Sequence, residues 1–160
     1  MAIETQSRKA FAELIDLLQE IDRRWVGEEW NLGSEGDVAD AHRALLHMLE
    51  AGLVGWFEYD VRKPDCRRIV TPSRKLTGDN ADAWYFDAPV DAQHAYVVHG
   101  NMSGAIYFAL TVEENCADGS MADNVGAVIN NTDMEVDSNG SFTLYIGGEP
   151  RDTNWVPLGP

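Results

Sequence analysis

An α+β fold is predicted by this sequence, with two N-terminal helices followed by an antiparallel β-sandwich of jelly-roll type. Three observations carry that expectation. Apolar residues recur at helical spacing up to about residue 60. Beyond it the period falls to two, in short runs rich in Val, Ile, Tyr and Phe separated by Gly, Asn and Asp. No helix-period segment interrupts those runs, which favours stacked antiparallel layers over a βαβ sheet. The expected division is a helical lead-in over residues 1–60 and a sandwich domain over 61–160.

From Gln6 to Trp25, the residues Phe11, Leu14, Ile15, Leu18, Ile21 and Trp25 fall three and four apart, the spacing of one helical face. Asn31 to Asp37 is rich in turn formers, and Ser34 or Asp37 suits the cap of a second helix. That helix carries Ala41, Ala44, Leu45, Met48, Leu49 and Leu53 on one stripe, so the two helices are expected to pair through apolar faces. Gly52 and Gly55 weaken its end, and Trp56-Phe57-Glu58-Tyr59 leads into extended chain. Strands are expected at Ala83–Ala88, Ala95–His99, Ala105–Val112, Asn124–Ile129, Asp133–Val136 and Ser141–Ile146. Asp137-Ser138-Asn139-Gly140 reads as a hairpin turn, because Asn-Gly accepts positive φ between alternating apolar runs.

The chain has 160 residues, of which 44% are hydrophobic and 24% charged, enough apolar surface for a core. Its 27 acidic against 12 basic side chains leave a net charge of −15, which argues against a protein that covers nucleic-acid phosphates. No run approaches the ~20 apolar residues of a membrane span, and Met1 to Ala10 lacks an apolar leader core, so a cytoplasmic location without membrane partners is expected. Cys66 and Cys116 have no CxxC neighbour and read as buried thiols. Residues 62–75 hold six bases and one acid between two acidic regions, which favours internal charge pairing over a nucleic-acid patch.

Thr77-Gly78-Asp79-Asn80-Ala81-Asp82, followed by Trp84-Tyr85-Phe86, is the densest polar cluster. Asp79 and Asp82, with His94, are the candidate acid/base residues, since carboxylates on a loop serve proton transfer or hold a hard cation. A turn is the favoured alternative, because Asx side chains bond nearby amides without any ligand. Asp133 to Gly140 superficially resembles a calcium loop, but the twelfth position from Glu135 is Ile146, so no metal ligands are assigned. His42 and His47 lie five apart and do not share a helical face. No nucleophile elbow, P-loop or dinucleotide motif occurs, and no cofactor is expected. If Trp84 and Phe86 face the core, as do Ile106, Phe108, Leu110, Phe142, Leu144 and Ile146, then Tyr85, Tyr107 and Tyr145 line the opposite face. With Asn80, these tyrosines are the candidate ligand-binding residues, suited to a small molecule of mixed polarity.

Val70-Thr71-Pro72-Ser73-Arg74-Lys75, Gly78-Asp79-Asn80-x-Asp82-x-x-Tyr85, Asp137-x-x-Gly140-Ser141-Phe142 and Asn154-Trp155-Val156-Pro157-Leu158, with Ala44-Leu45-Leu46-His47 in the helical lead-in, give the sequence its likeness to a family. It resembles the uncharacterised bacterial family numbered 1214 among the domains of unknown function, over nearly the whole chain. The resemblance implies a jelly-roll sandwich preceded by helices and transfers no catalytic residues. Members of that family usually continue past the last motif, whereas this sequence stops at Pro160. A missing C-terminal region, or a homo-oligomer that covers an open sheet edge or apolar face, is therefore expected. The function expected is a small-molecule-binding or accessory domain. The alternatives are an acid/base or metal-assisted enzyme and a structural half of a larger protein or oligomer.

Overall fold

The computed structural model describes residues 3–57, 59–76, 78–114 and 122–159. The fold is α+β. It divides into Met1–Phe57 with Arg67–Asp87, and Glu58–Cys66 with Ala88–Pro160. This differs from the expected boundary at residue 60, because residues 67–87 fold with the helices.

In the first unit, α1 (Gln6–Trp25) begins where the Thr5 hydroxyl accepts from the Arg8 N–H at 3.2 Å. Its end is closed by aromatics. Trp30, in a 3₁₀ turn over Glu28–Trp30, donates its indole N–H to Arg24 O at 3.0 Å and lies 4.7 Å from the Trp25 ring. Helix α2 (Glu35–Phe57) starts from a reciprocal cap: Asp37 N–H donates to Ser34 Oγ at 3.2 Å, and Ser34 N–H to the Asp37 carboxylate at 3.0 Å. Ser34 is thus the cap and Asp37 its partner. His42 Nε2 meets Asp22 Oδ1 at 2.8 Å and ties the two helices.

The expected apolar pairing of the helices is only half realised. Leu14, Leu18, Ile21, Leu45 and Leu49 are half-buried, whereas Phe11, Ile15, Trp25, Met48 and Leu53 of the same stripes are exposed. Neither helix has a buried residue. Two helices alone cover one side of each other, and a full core needs a further layer.

Strands β1 (Arg67–Arg68) and β2 (Phe86–Asp87) form a short antiparallel ladder. The strand expected over Ala83–Ala88 shrinks to two residues, and Trp84 and Phe86, expected to face a core, are exposed. The cause lies opposite: after Ile69 N–H bonds Tyr85 O, the chain turns around Pro72, closed by Thr71 N–H to Arg74 O at 2.9 Å. Part of the basic stretch is bonded internally. Arg67 donates to Val54 O near the end of α2, and Arg74 donates to Ile69 O at 2.8 Å and pairs with Glu50 at 2.5 Å.

The second unit holds two sheets. Strands β3 (Tyr96–Asn101), β6 (Ser141–Ile146) and β7 (Trp155–Val156) are ordered β3-β6-β7. Strands β4 (Ala109–Glu114) and β5 (Asn124–Asn130) make an antiparallel ribbon with a register shift after Val112. The ladder β3–β6 is antiparallel, but β7 runs parallel to β6, a departure from the wholly antiparallel expectation. Neither sheet closes. Val112 and Ile129 of the ribbon join Phe142, Leu144, Ile146, Val156 and Met134 in one apolar core, with Leu144 fully buried. Gly100 stands opposite Phe142, and a Cβ there would lie 2.2 Å from the ring, so only glycine lets the ring lie across β3.

Two expected strands change. The Ala105–Val112 run starts only at Ala109, and Ile106, expected inside, is 97% exposed. Ser103 and Gly104 at positive φ, with Ala105 N–H on Met102 O, turn the backbone before it can pair. Asp133–Val136 is not a strand, although Met134 is buried and Val136 packs on the core. Asn154 replaces the missing ladder: it accepts from Glu135 N–H at 2.7 Å and donates to Glu135 O and Thr143 O at 2.9 and 3.0 Å. The expected turn is present, with Gly140 N–H on Asp137 O, Asp137 N–H on Ser141 O, and Gly140 φ at +84°. Cys66, expected buried, is exposed, and Cys116 lies outside the described residues. Among the described residues no helix is long and apolar enough to cross a membrane.

Candidate functional site

Asp79, Asn80, Asp82 and Tyr85 come together in the first unit as a self-bonded loop. Asp79 Oδ1 accepts from Leu76 N–H at 3.0 Å and Oδ2 takes the Lys75 ammonium at 3.2 Å, leaving its side chain 8% exposed. Asn80 Oδ1 accepts from Asp82 N–H at 2.9 Å, the Asx geometry that short amides adopt in turns. The Tyr85 hydroxyl reaches back to accept from Asn80 N–H at 3.1 Å. The Asp82 carboxylate has no hydrogen-bond partner among the described residues. Beside the loop lies a groove of about 260 Å³ whose walls include Arg68, Thr71, Lys75, Ala81 and Trp84, but none of the four loop candidates.

His94, Tyr107 and Tyr145 belong to the second unit. His94 donates its N–H to Asp91 O, and its ring meets the Tyr96 ring edge-on at 6.3 Å. Tyr107 precedes β4 and is exposed, so it does not share a strand face with Tyr145. Tyr145 sits on the outer face of β6, where alternation sends Phe142, Leu144 and Ile146 inward and leaves Ser141, Thr143 and Tyr145 outward. A second groove of about 260 Å³ opens on that face, lined by Tyr145, Ser141, Thr143, Thr153, Glu135 and Asp137 together with Phe142 and Asn154.

Local chemistry fixes this groove. His99 Nδ1 and the Thr143 hydroxyl meet at 3.1 Å, and Asn101 Nδ2 donates to the Ser141 hydroxyl at 3.0 Å. Thr153 Oγ1 donates to Glu135 Oε2 at 3.4 Å, and the Arg151 guanidinium stacks 3.7 Å from the centre of the Tyr145 ring. The Asp137 carboxylate and the Tyr145 hydroxyl have no partner among the described residues and are open to a ligand. The arrangement offers hydroxyls, two carboxylates and one aromatic ring, a set that hydrogen-bonds hydroxyl groups and attracts positive charge.

Tyr145 is the one sequence candidate that reaches this groove. Ser141 and Thr143 were signalled by the same period-two pattern, whereas Glu135 and Thr153 meet only because Asn154 binds their neighbourhood to β6. No linear pattern shows that link. Among the described residues, no group of three or more His, Cys, Asp and Glu side chains is placed to hold a metal ion.

The fold recurs in a known structure. The chain is similar to the crystal structure of an uncharacterised protein from Burkholderia cenocepacia, with a TM-score of 0.81 and 23% identity over 96% of this chain. It spans only 43% of that protein's length. No family model matches the chain, and no curated protein matches it.

Proposed function

We propose that the chain is a small-molecule-binding or accessory module whose ligand lies in the groove on the outer face of β6. The observation that carries this reading is the convergence there of Tyr145, Thr143, Ser141 and Thr153 with the carboxylates of Glu135 and Asp137. Hydroxyls and carboxylates together favour a polyhydroxylated ligand that is neutral or cationic, and two carboxylates oppose an anion. In the same reading, the β3-β6-β7 sheet and the β4–β5 ribbon are the two layers of a jelly-roll-type sandwich, in keeping with a resemblance to family 1214 that rests on its four motifs. An enzyme centred on Asp79, Asp82 and His94 has less support, since the Asp79 carboxylate is already held by an amide and an ammonium. Calorimetric titration with glucosamine tests the proposal. Binding should weaken about tenfold in Thr143→Val or Asp137→Asn, the worth of one charge-assisted or well-placed hydrogen bond. Equal binding by these variants contradicts it.

A second reading has its own observation. The helices contain no buried residue yet expose Phe11, Leu17, Trp25, Leu46, Trp56 and Phe57. Such a surface suits a module docked within a larger protein or oligomer, and the Burkholderia cenocepacia protein carries the same fold in a chain more than twice as long.

A further inference from the structure

The groove of the first unit differs chemically from that on β6. Its polar walls are Arg68, Lys75 and Thr71, its apolar walls Trp84, Val70 and Pro72, and no carboxylate lines it, in a chain of net charge −15. Arg68 stacks over the Trp84 indole at 4.3 Å and spends only its Nε, which donates to Val70 O at 2.9 Å. Its two terminal nitrogens, and the indole N–H of Trp84, have no partner among the described residues. Lys75 is steered by Asp79, 3.2 Å from its ammonium, and stays half exposed. A guanidinium seated over an aromatic ring with both terminal nitrogens unbonded can take a carboxylate or phosphate in a bidentate way, and the Trp84 ring, 71% exposed, leaves apolar area for an attached aromatic group.

We infer that this groove binds a small aromatic acid, with its anionic group on Arg68 and Lys75 and its ring against Trp84 and Pro72. Size sets the limit: about 260 Å³ lies just below the roughly 300–1,000 Å³ of drug-sized sites and suits a single ring. The anionic group is a carboxylate or a phosphate, since the guanidinium fork fits both. The site is separate from the β6 groove and does not depend on that reading.

Calorimetric titration of the full chain with benzoate, phenyl phosphate, benzyl alcohol and inorganic phosphate tests it. Benzoate or phenyl phosphate should bind at least about tenfold more tightly than both benzyl alcohol and inorganic phosphate, the loss expected when either the charge-assisted bonds or the ring contact is missing. Whichever of the two acids binds more tightly identifies the anionic group. Lys75→Gln and Arg68→Lys, each first shown by circular dichroism to keep the native spectrum, should weaken that acid by a similar factor, whereas Asp82→Asn, outside the groove, should not. Of the five tryptophans, Trp84 should report binding: quenching by the bound acid should disappear in Trp84→Phe. Binding no tighter than benzyl alcohol, tight binding of inorganic phosphate alone, or indifference to Lys75→Gln and Arg68→Lys would each overturn the inference.

Discussion

Asn154 does with one side chain what a strand does with a row of amides. It is nearly buried, adopts a positive φ of 51°, and makes three hydrogen bonds that join the Glu135 segment to β6. Asn154→Ala leaves the amide of Glu135 and two carbonyls without partners, at about 1–3 kcal/mol for each buried group so orphaned. The urea midpoint should therefore fall by a large fraction of total stability, and an unchanged midpoint would show that water replaces the amide without loss. Gly140 is a simpler case. Its φ of +84° and the Asn101 side chain 3.3 Å from a virtual Cβ make Gly140→Val unfavourable by about 1 kcal/mol or more, again read as a lower denaturation midpoint. The sequence showed Gly140 because Asn-Gly has a local signature. It did not show the bridging role of Asn154, whose partners lie 11 and 19 residues away.

At the scale of elements, local codes were readable and pairings were not. The cap of α2 follows from Ser-x-x-Asp, and the inward set Phe142, Leu144 and Ile146 from a period of two. Strands around Trp84 and Ile106 are shorter than alternation predicts, because alternation does not reveal that Pro72 turns the partner strand away or that Ser103 and Gly104 delay β4. The cap also yields a pH prediction. Hydrogen bonds from the Ser34 hydroxyl and then its backbone amide hold the Asp37 carboxyl below its ordinary value of 3.8. A depressed folded-state pKa contributes stability that is fully present above 3.8 and is lost as pH falls through the lower folded value. Far-UV circular dichroism melts of the wild type and Asp37→Asn should thus differ above that value and converge in stronger acid. A gap that stays constant across this range would contradict the cap's ionic part.

For the whole molecule, the contrast is between a sheet unit with a core drawn from both of its sheets and a helical unit in which, among the described residues, Val70 is the only buried apolar one. Exposed Trp56, Phe57 and Leu46 on α2 should make the chain self-associate in sedimentation or bind a hydrophobic dye. A monomer at high concentration that leaves the dye dark would remove the assembly reading. Charge is legible in part, because two of the six bases of residues 62–75 form ion pairs within the chain, Arg74 with Glu50 and Lys75 with Asp79. The candidate site is less legible, since the β6 groove draws Glu135, Tyr145 and Thr153 from segments that only the folded sheet brings together. The binding claim is tested most directly by amide NMR spectra of the labelled chain titrated with glucosamine and, separately, gluconate. The account predicts shifts at Asp137, Thr143, Tyr145 and Thr153 with glucosamine and none with gluconate; no shift at these amides at millimolar glucosamine, or equal shifts with both sugars, would contradict it.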